Sequence, residues 1–255
     1  MASPTPCAPA STAWAGADGA AVAVAAAVAV AGRTALVAGA SGLVGRAILQ
    51  GLLADDSVTA VHTLGRRLLP FSHSKLTQHT VDFKALHGPL SSLPAVDEVF
   101  LALGTTIKVT GSQEAFRAVD YEANLAVARA TRARGATRLG LVSAMGADPL
   151  SGIFYNRTKG ELEQALAELR FATLVIARPS ILAGDRESLG QPVRSGETLA
   201  LVLSRWLAWL IPDNYKAIGA ARVAGALLRA VPTAQGLRIL PSGEMRHGAA
   251  STHPA

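Results

Sequence analysis

Val37-Ala38-Gly39-Ala40-Ser41-Gly42-Leu43-Val44-Gly45 sets three glycines at GxxGxxG spacing between an apolar run and a helix-forming one. Each glycine has its own use. Gly39 permits a tight turn, Gly42 lets backbone approach a pyrophosphate with no Cβ in the way, and Gly45 allows a helix to lie close on a strand. Ser41, Leu43 and Val44 complete the turn, and the amides at the helix start face phosphate charge. A glycine triplet alone is weak evidence, because glycines also serve ordinary turns. At the first strand-to-helix junction of an alternating pattern it implies a dinucleotide site.

That alternating pattern runs outward from the turn. From Arg33 onward, short β-branched or apolar runs alternate with helical stretches, as expected of repeated βαβ units. The periodicity predicts strands over 34–38, 58–64, 76–81, 98–103, 138–142 and 172–177, and helices over 43–53, 113–134 and 155–169. Less regular apolar stretches at 199–211 and 221–230 read as helices and 237–240 as a late strand. The fold class is therefore α/β, a doubly wound parallel sheet of the Rossmann type with a small C-terminal substrate-side region. Residues 33–183 are expected to form the nucleotide-binding core and 184–255 a substrate-side segment of the same domain.

Cofactor choice is read about 20 residues past the glycine turn, where NAD-binding folds place an acid against the ribose 2′-hydroxyl. Here the sequence is Thr63-Leu64-Gly65-Arg66-Arg67. It offers no acid, and a guanidinium fork suits a 2′-phosphate bidentately. NADP(H) is the expectation, with NAD(H) second; the blander reading is two surface arginines in a loop.

Tyr155 and Lys159 stand four residues apart in a predicted helix, so their side chains share a face. An ammonium near a phenol favours the phenolate, which lets a tyrosine exchange a proton with a carbonyl or alcohol oxygen. Lys159 is also placed to hold a nicotinamide ribose. Ser143 follows the fifth strand in Leu141-Val142-Ser143-Ala144-Met145-Gly146, where an open parallel sheet carries its active-site groups. Its hydroxyl suits a substrate oxygen. Tyr-x-x-x-Lys pairs occur by chance in many helices; the order and spacing of all three residues behind the glycine turn carry the information.

With these motifs in hand, the chain resembles the extended or atypical short-chain dehydrogenases/reductases over nearly all of residues 33–245. Within that family it is most similar to the branch of the Tat-interacting oxidoreductase. The resemblance rests on Gly65-Arg66-Arg67, Val81-Asp82-Phe83, Leu103-Gly104-Thr105-Thr106, Phe116-Arg117-Ala118-Val119-Asp120-Tyr121, Lys159-Gly160-Glu161, and Arg178-Pro179 with Asp185-Arg186-Glu187. It implies that Asp82 contacts the adenine, that Leu103 and Gly104 pass beside the adenosine ribose, and that Thr105 belongs to the cofactor site. It further implies that Ser143, Tyr155 and Lys159 form the catalytic trio, and that Arg178, Pro179, Ser180 and Ile181 line the nicotinamide side. Ordinary roles stand beside these: a turn cap for Asp82, a salt bridge for Arg178, a strand end for Pro179. The Asn-Asn-Ala-Gly signature of the archetypal enzymes is absent. Asp120 and Asn124 both lie near the fourth catalytic position, which leaves the proton relay open.

Composition limits the alternatives. The chain has 255 residues, 50% of them hydrophobic, enough for one packed domain. Its one cysteine, Cys7, excludes a disulfide framework and a cysteine-based metal site, and a reducing cytoplasm is the expected location. The net charge of +6 is scattered, with a local group at Arg129, Arg132, Arg134 and Arg138 near a predicted helix end. Without interleaved aromatics this group does not describe a nucleic-acid surface. The Ala/Val run 20–31 lacks a preceding Lys or Arg and is too short for the ~20 residues of a bilayer span. Residues 1–32 thus read as a low-complexity leader, with a packed helix or a targeting segment as the other readings. Stretch 199–211, interrupted by Ser204 and Arg205, is a poor membrane span; it reads as a core helix or cleft wall, with a homodimer or membrane contact as alternatives.

These observations lead to an NADP(H)-dependent oxidoreductase acting on a small carbonyl or alcohol substrate, with no metal, nucleic acid or stable membrane insertion. The alternatives are a nucleotide-sugar epimerase or dehydratase, and an NADP(H)-binding sensor or interaction module without turnover.

Overall fold

The computed structural model describes residues 32–83, 90, 93–183 and 213–248, all within one compact unit, Ala31–Ala255. Nearly all of the leader, the stretch 199–211 and Asp185-Arg186-Glu187 lie outside the described residues.

Strand β1 (Arg33–Ala38) leads through the glycine turn into helix α1 (Leu43–Ala54) and on to β2 (Val58–Gly65), β3 (Leu76–Thr80) and β4 (Glu98–Leu101). After β4 come α2 (Ile107–Thr110), α3 (Gln113–Arg117), a π-helical turn (Ala118–Ala123) and α4 (Asn124–Ala133). Then β5 (Arg138–Val142), α5 (Phe154–Glu168) and β6 (Thr173–Arg178) complete the regular alternation. The last third holds β7 (Leu182–Ala183), β8 (Ile218–Gly219), α6 (Ala220–Ala230), β9 (Gly236–Pro241) and α7 (Ser242–His247).

Seven strands form one sheet in the order β3-β2-β1-β4-β5-β6-β9, and every neighbouring pair is parallel. Parallel strands need crossovers on the sheet faces, so both faces are covered and the central strands are apolar on both sides. Strand alternation divides the core accordingly. Leu36, Leu101 and Leu141 pack with Leu125 of α4 and Leu162 and Leu166 of α5 on one face. Val37, Phe100 and Val175 pack with Ile48 and Leu52 of α1 and Val223 and Leu227 of α6 on the other.

The strand order reverses between β1 and β4, and a crevice opens beyond the carboxyl ends of strands at such a switch point. The opposite end is closed by charge. Arg33 grips the fully buried Glu98 through both carboxylate oxygens, at 2.9 and 2.8 Å, and Arg138 approaches Glu98 at 3.6 Å. This ties β1, β4 and β5 together at their starts.

The sequence expectation differs from the structure in one consequential place. The helix expected over 113–134 is three pieces, because the chain widens into the π-helical turn at Ala118–Ala123. Insertions of this kind recur at functional sites because they redirect side chains that a regular helix would aim elsewhere. Here Asp120 and Ala123 are the buried residues of the turn.

Candidate active site

The glycine turn packs on the segment after β4. Gly39 has φ +89°, and a Cβ there would meet the Ala102 carbonyl oxygen at 2.5 Å and the Leu103 nitrogen at 2.8 Å. Gly45 is equally tight, since its Cβ would fall 2.1 Å from the Gly39 oxygen. Gly42 differs: a Cβ there would meet the Gly39 oxygen at 3.4 Å and, among the described residues, nothing else within 4 Å. Gly42 caps α1 in extended backbone with no side-chain cap, which leaves the helix start to a ligand. This combination fits a pyrophosphate: two glycines close the turn and the third keeps its outer side clear.

The same segment after β4 reaches helix α5. Gly104 lies so close to α5 that a Cβ on it would stand 3.9 Å from Lys159 Nζ. Helix α5 is held near by Gly160, where a Cβ would overlap the Asp148–Pro149 backbone at 2.3 Å. Tyr155 precedes Lys159 by one helical turn on the same face, and its ring packs 5.5 Å from that of the buried Phe116. Thus Gly39, Leu103, Gly104 and Lys159 meet around one short peptide segment.

Lys159 is not alone. Its Nζ stands 2.7 Å from Asp120 Oδ1, and Asp120 Oδ2 accepts the Thr105 amide at 2.9 Å. Burial pushes the Asp120 carboxyl above the usual carboxylate range, against the pull of the Lys159 charge and of hydrogen bonds from Lys159 and Thr105. The neighbouring Asn124 donates through Nδ2 to the carbonyls of Leu103, Val119 and Asp120. Its Oδ1 is buried with no hydrogen-bond partner among the described residues.

Ser143 also has a partner absent from the sequence reading. Its hydroxyl donates to Glu163 Oε1 at 2.5 Å, and Arg178 donates to both oxygens of Glu163 through Nε, at 3.1 and 3.2 Å, and to Oε2 through Nη2. The hydrogen bond to Glu163 raises Arg178 further above its ordinary value. Residues 155, 159 and 163 are spaced four apart on α5, so helical periodicity alone could have flagged Glu163. Asp120 carried no comparable local signal.

The remaining expected residues are placed as follows. Arg67 lines a shallow hollow with Ser41 and Gly65 beside the glycine turn, and both Arg66 and Arg67 are exposed. The Val81 amide bonds the Gly65 carbonyl at 2.9 Å, which sets exposed Asp82 next to the arginine turn. Pro179 is buried and accepts the Met145 amide through its carbonyl. The Ser180 hydroxyl bonds the Lys216 carbonyl and Ser242. Ile181 projects outward, 68% exposed. Among the described residues, no group of three or more His, Cys, Asp or Glu could hold a metal, and no helix is long and apolar enough to cross a membrane.

Comparison with known proteins agrees with this geometry. Residues 39–194 match a family described as NAD(P)H-binding. The mitochondrial protein FMP52 of Eremothecium gossypii is 39% identical over 154 residues, covering 60% of this chain and 68% of that protein. Protein HTATIP2 of Rattus norvegicus is 33% identical over 186 residues, 72% of this chain and 73% of its own. Among solved structures, MoeE5 in complex with UDP-glucuronic acid and NAD superposes with a TM-score of 0.61 at 19% identity, covering 83% of this chain and 76% of that one.

The relatives correct one expectation. A cytoplasmic location was inferred from the single cysteine and the cofactor, yet the FMP52 relatives from three fungi are named mitochondrial. Both features suit any reducing compartment that holds the cofactor, so neither singled out the cytosol. The family match and the relatives place this chain in the NAD(P)H-binding family, alongside the FMP52 and HTATIP2 proteins.

Proposed function

We propose that this chain is an NADP(H)-dependent oxidoreductase that interconverts a small carbonyl and its alcohol, with residues 33–183 holding the cofactor and 184–255 facing the substrate. One observation carries the reading: the segment Ala102–Gly104 touches Gly39 of the phosphate turn on one side and approaches Lys159 on the other. A dinucleotide seated on the turn therefore extends towards Tyr155, Lys159 and Ser143.

In this reading the amides at the start of α1 hold the pyrophosphate and Arg66 and Arg67 hold the 2′-phosphate. The nicotinamide, when bound, supplies or takes the hydride. Tyr155 gives or receives the proton at the substrate oxygen, and Lys159 supports it electrostatically. Ser143 holds that oxygen. Because its proton is donated to Glu163, its lone pairs are free to accept from a substrate hydroxyl. Donating to a carbonyl oxygen instead requires the hydroxyl to turn away from Glu163.

The test is oxidation of NADPH and NADH against a panel of aldehydes and ketones, for the parent protein and for Tyr155→Phe. Net NADPH consumption that falls by at least about 100-fold in Tyr155→Phe is expected, the usual worth of a positioned acid. Undiminished turnover in the variant sinks the assignment of Tyr155. Nucleotide-sugar conversion with no net NADPH consumption would favour an epimerase. Tight NADPH binding with no reduction of any carbonyl would favour a non-catalytic module.

A further inference from the structure

The exposed apolar side chains are unevenly placed. Nine large hydrophobic residues are exposed among the described residues, and scattered singly they would need no explanation. Seven of them instead occupy segments at the carboxyl ends of the strands, where the crevice opens. Leu68 and Phe71 follow β2, Val109 lies on α2 after β4, Leu150 and Ile153 stand between β5 and α5, and Ile181 follows β6. Tyr215 belongs to the short turn Asp213–Tyr215, which is tied to the start of α7 because Asn214 accepts the Gly243 amide at 2.8 Å. The other two, Leu237 and Ile239, lie on edge strand β9.

Five of the seven belong to the half of the sheet that carries Tyr155. Val109 is 78% exposed, Leu150 90%, Ile153 63%, Ile181 68% and Tyr215 61%. Apolar surface left in water at the mouth of a crevice marks a place that a ligand covers. The charged groups of the same segments are turned onto the protein itself. Arg178 donates to Glu163, Arg157 to the Ser151 carbonyl at 3.0 Å, Arg117 pairs with Glu161, and Asp148 accepts the Leu150 amide at 2.9 Å. Lys108, exposed beside Val109, is the ammonium that a phosphate-bearing substrate would call on.

We propose that the substrate is an apolar carbonyl, an aliphatic aldehyde or ketone whose hydrocarbon chain lies on Val109, Leu150, Ile153 and Tyr215 while its oxygen reaches Tyr155. The proposal rests on the oxidoreductase reading above. The carbonyl is reduced to an alcohol and NADPH is oxidised to NADP+, the hydride going to carbon and a proton to oxygen. Such a ligand is held by its apolar area and oriented by one polar end, the usual division in small-molecule sites.

The test is kcat/KM for NADPH-dependent reduction of the straight-chain aldehydes from butanal to decanal. It is expected to rise about two- to fourfold per methylene, the upper value corresponding to full burial of each CH2. Replacing both rim residues, Leu150→Ser with Ile153→Ser, is expected to cut the decanal-to-butanal ratio by at least about threefold. Leu237→Ser, near the amino end of β9, leaves that ratio at the parent value. A series flat with chain length overturns the proposal, as does glycolaldehyde phosphate outpacing the alkanals with a loss in Lys108→Gln. Failure of the underlying reading shows separately, through calorimetric binding of butanol to decanol by the NADP+-loaded protein. Affinity that climbs with chain length while no aldehyde consumes NADPH supports the rim and removes the redox reading; affinity flat with chain length overturns the rim.

Discussion

Gly42 and Gly45 are three positions apart in one turn, yet their surroundings require different outcomes from the same substitution. A methyl at 45 collides with the Gly39 carbonyl at 2.1 Å, whereas at 42 it meets that oxygen at an ordinary 3.4 Å. Gly45→Ala is therefore expected to lose about 1–3 kcal/mol of stability through overpacking against backbone. Gly42→Ala should melt near the parent temperature but bind NADPH at least about tenfold more weakly, because its methyl occupies the side from which pyrophosphate approaches. Thermal melts and fluorescence titrations of both variants check the contrast; equal melting temperatures would refute the packing argument. The tight packing at Gly45 was legible in the sequence because it depends on Gly39 and Ala40, a few positions away. For Asp120 the sequence offered only a place near the fourth catalytic position, shared with Asn124, and not its pairing with Lys159, which lies 39 positions on.

Elements were legible where one periodicity runs unbroken. Helix α1, β5 and α5 fall within one or two residues of their expected bounds, because amphipathic spacing and strand alternation decide them locally. The stretch 113–134 reads as one helix in sequence, since a π-helical turn and an α-helix use the same residue types. The one extra residue that separates them is decided by tertiary demand, here the burial of Asp120 against Lys159. Glu98 at the start of β4 is a second case. A charge at a strand end ordinarily reads as exposed, but Arg33 and Arg138 come from β1 and β5 and bury it completely. Glu98→Ala is expected to cost about 1.5–3 kcal/mol through its lost charge-assisted hydrogen bonds, with Arg33 still paired to Asp55. Urea denaturation measures it. NADPH affinity should remain unchanged, because the pair sits at the end of the sheet away from the crevice; a loss of affinity equal to the loss of stability would contradict that separation.

At the scale of the whole molecule, the sheet consists of one half, β1 to β3, beside the glycine turn and Arg67, and a half from β4 onward that carries Ser143, Tyr155 and Lys159. In the proposed reading, cofactor preference and catalysis therefore fall on opposite halves. Arg67→Ala is expected to weaken NADPH binding about tenfold or more, the worth of a charge-assisted contact, and to leave NADH binding as it was. Fluorescence titration with both nucleotides decides it, and equal weakening of the two would remove Arg67 from 2′-phosphate recognition. The seam between the halves has a wider consequence. It joins segments distant in the chain: Thr34 is tied to Asp97, 63 positions away, and Gly39 abuts Ala102. A nucleotide lying across that seam would clamp two parts of the chain that are far apart in sequence. Occupancy therefore feeds back on persistence of the folded state, by about 2.7 kcal/mol when free nucleotide exceeds its dissociation constant a hundredfold. In the proposed reading, the cellular supply of dinucleotide therefore also sets how long each folded molecule persists.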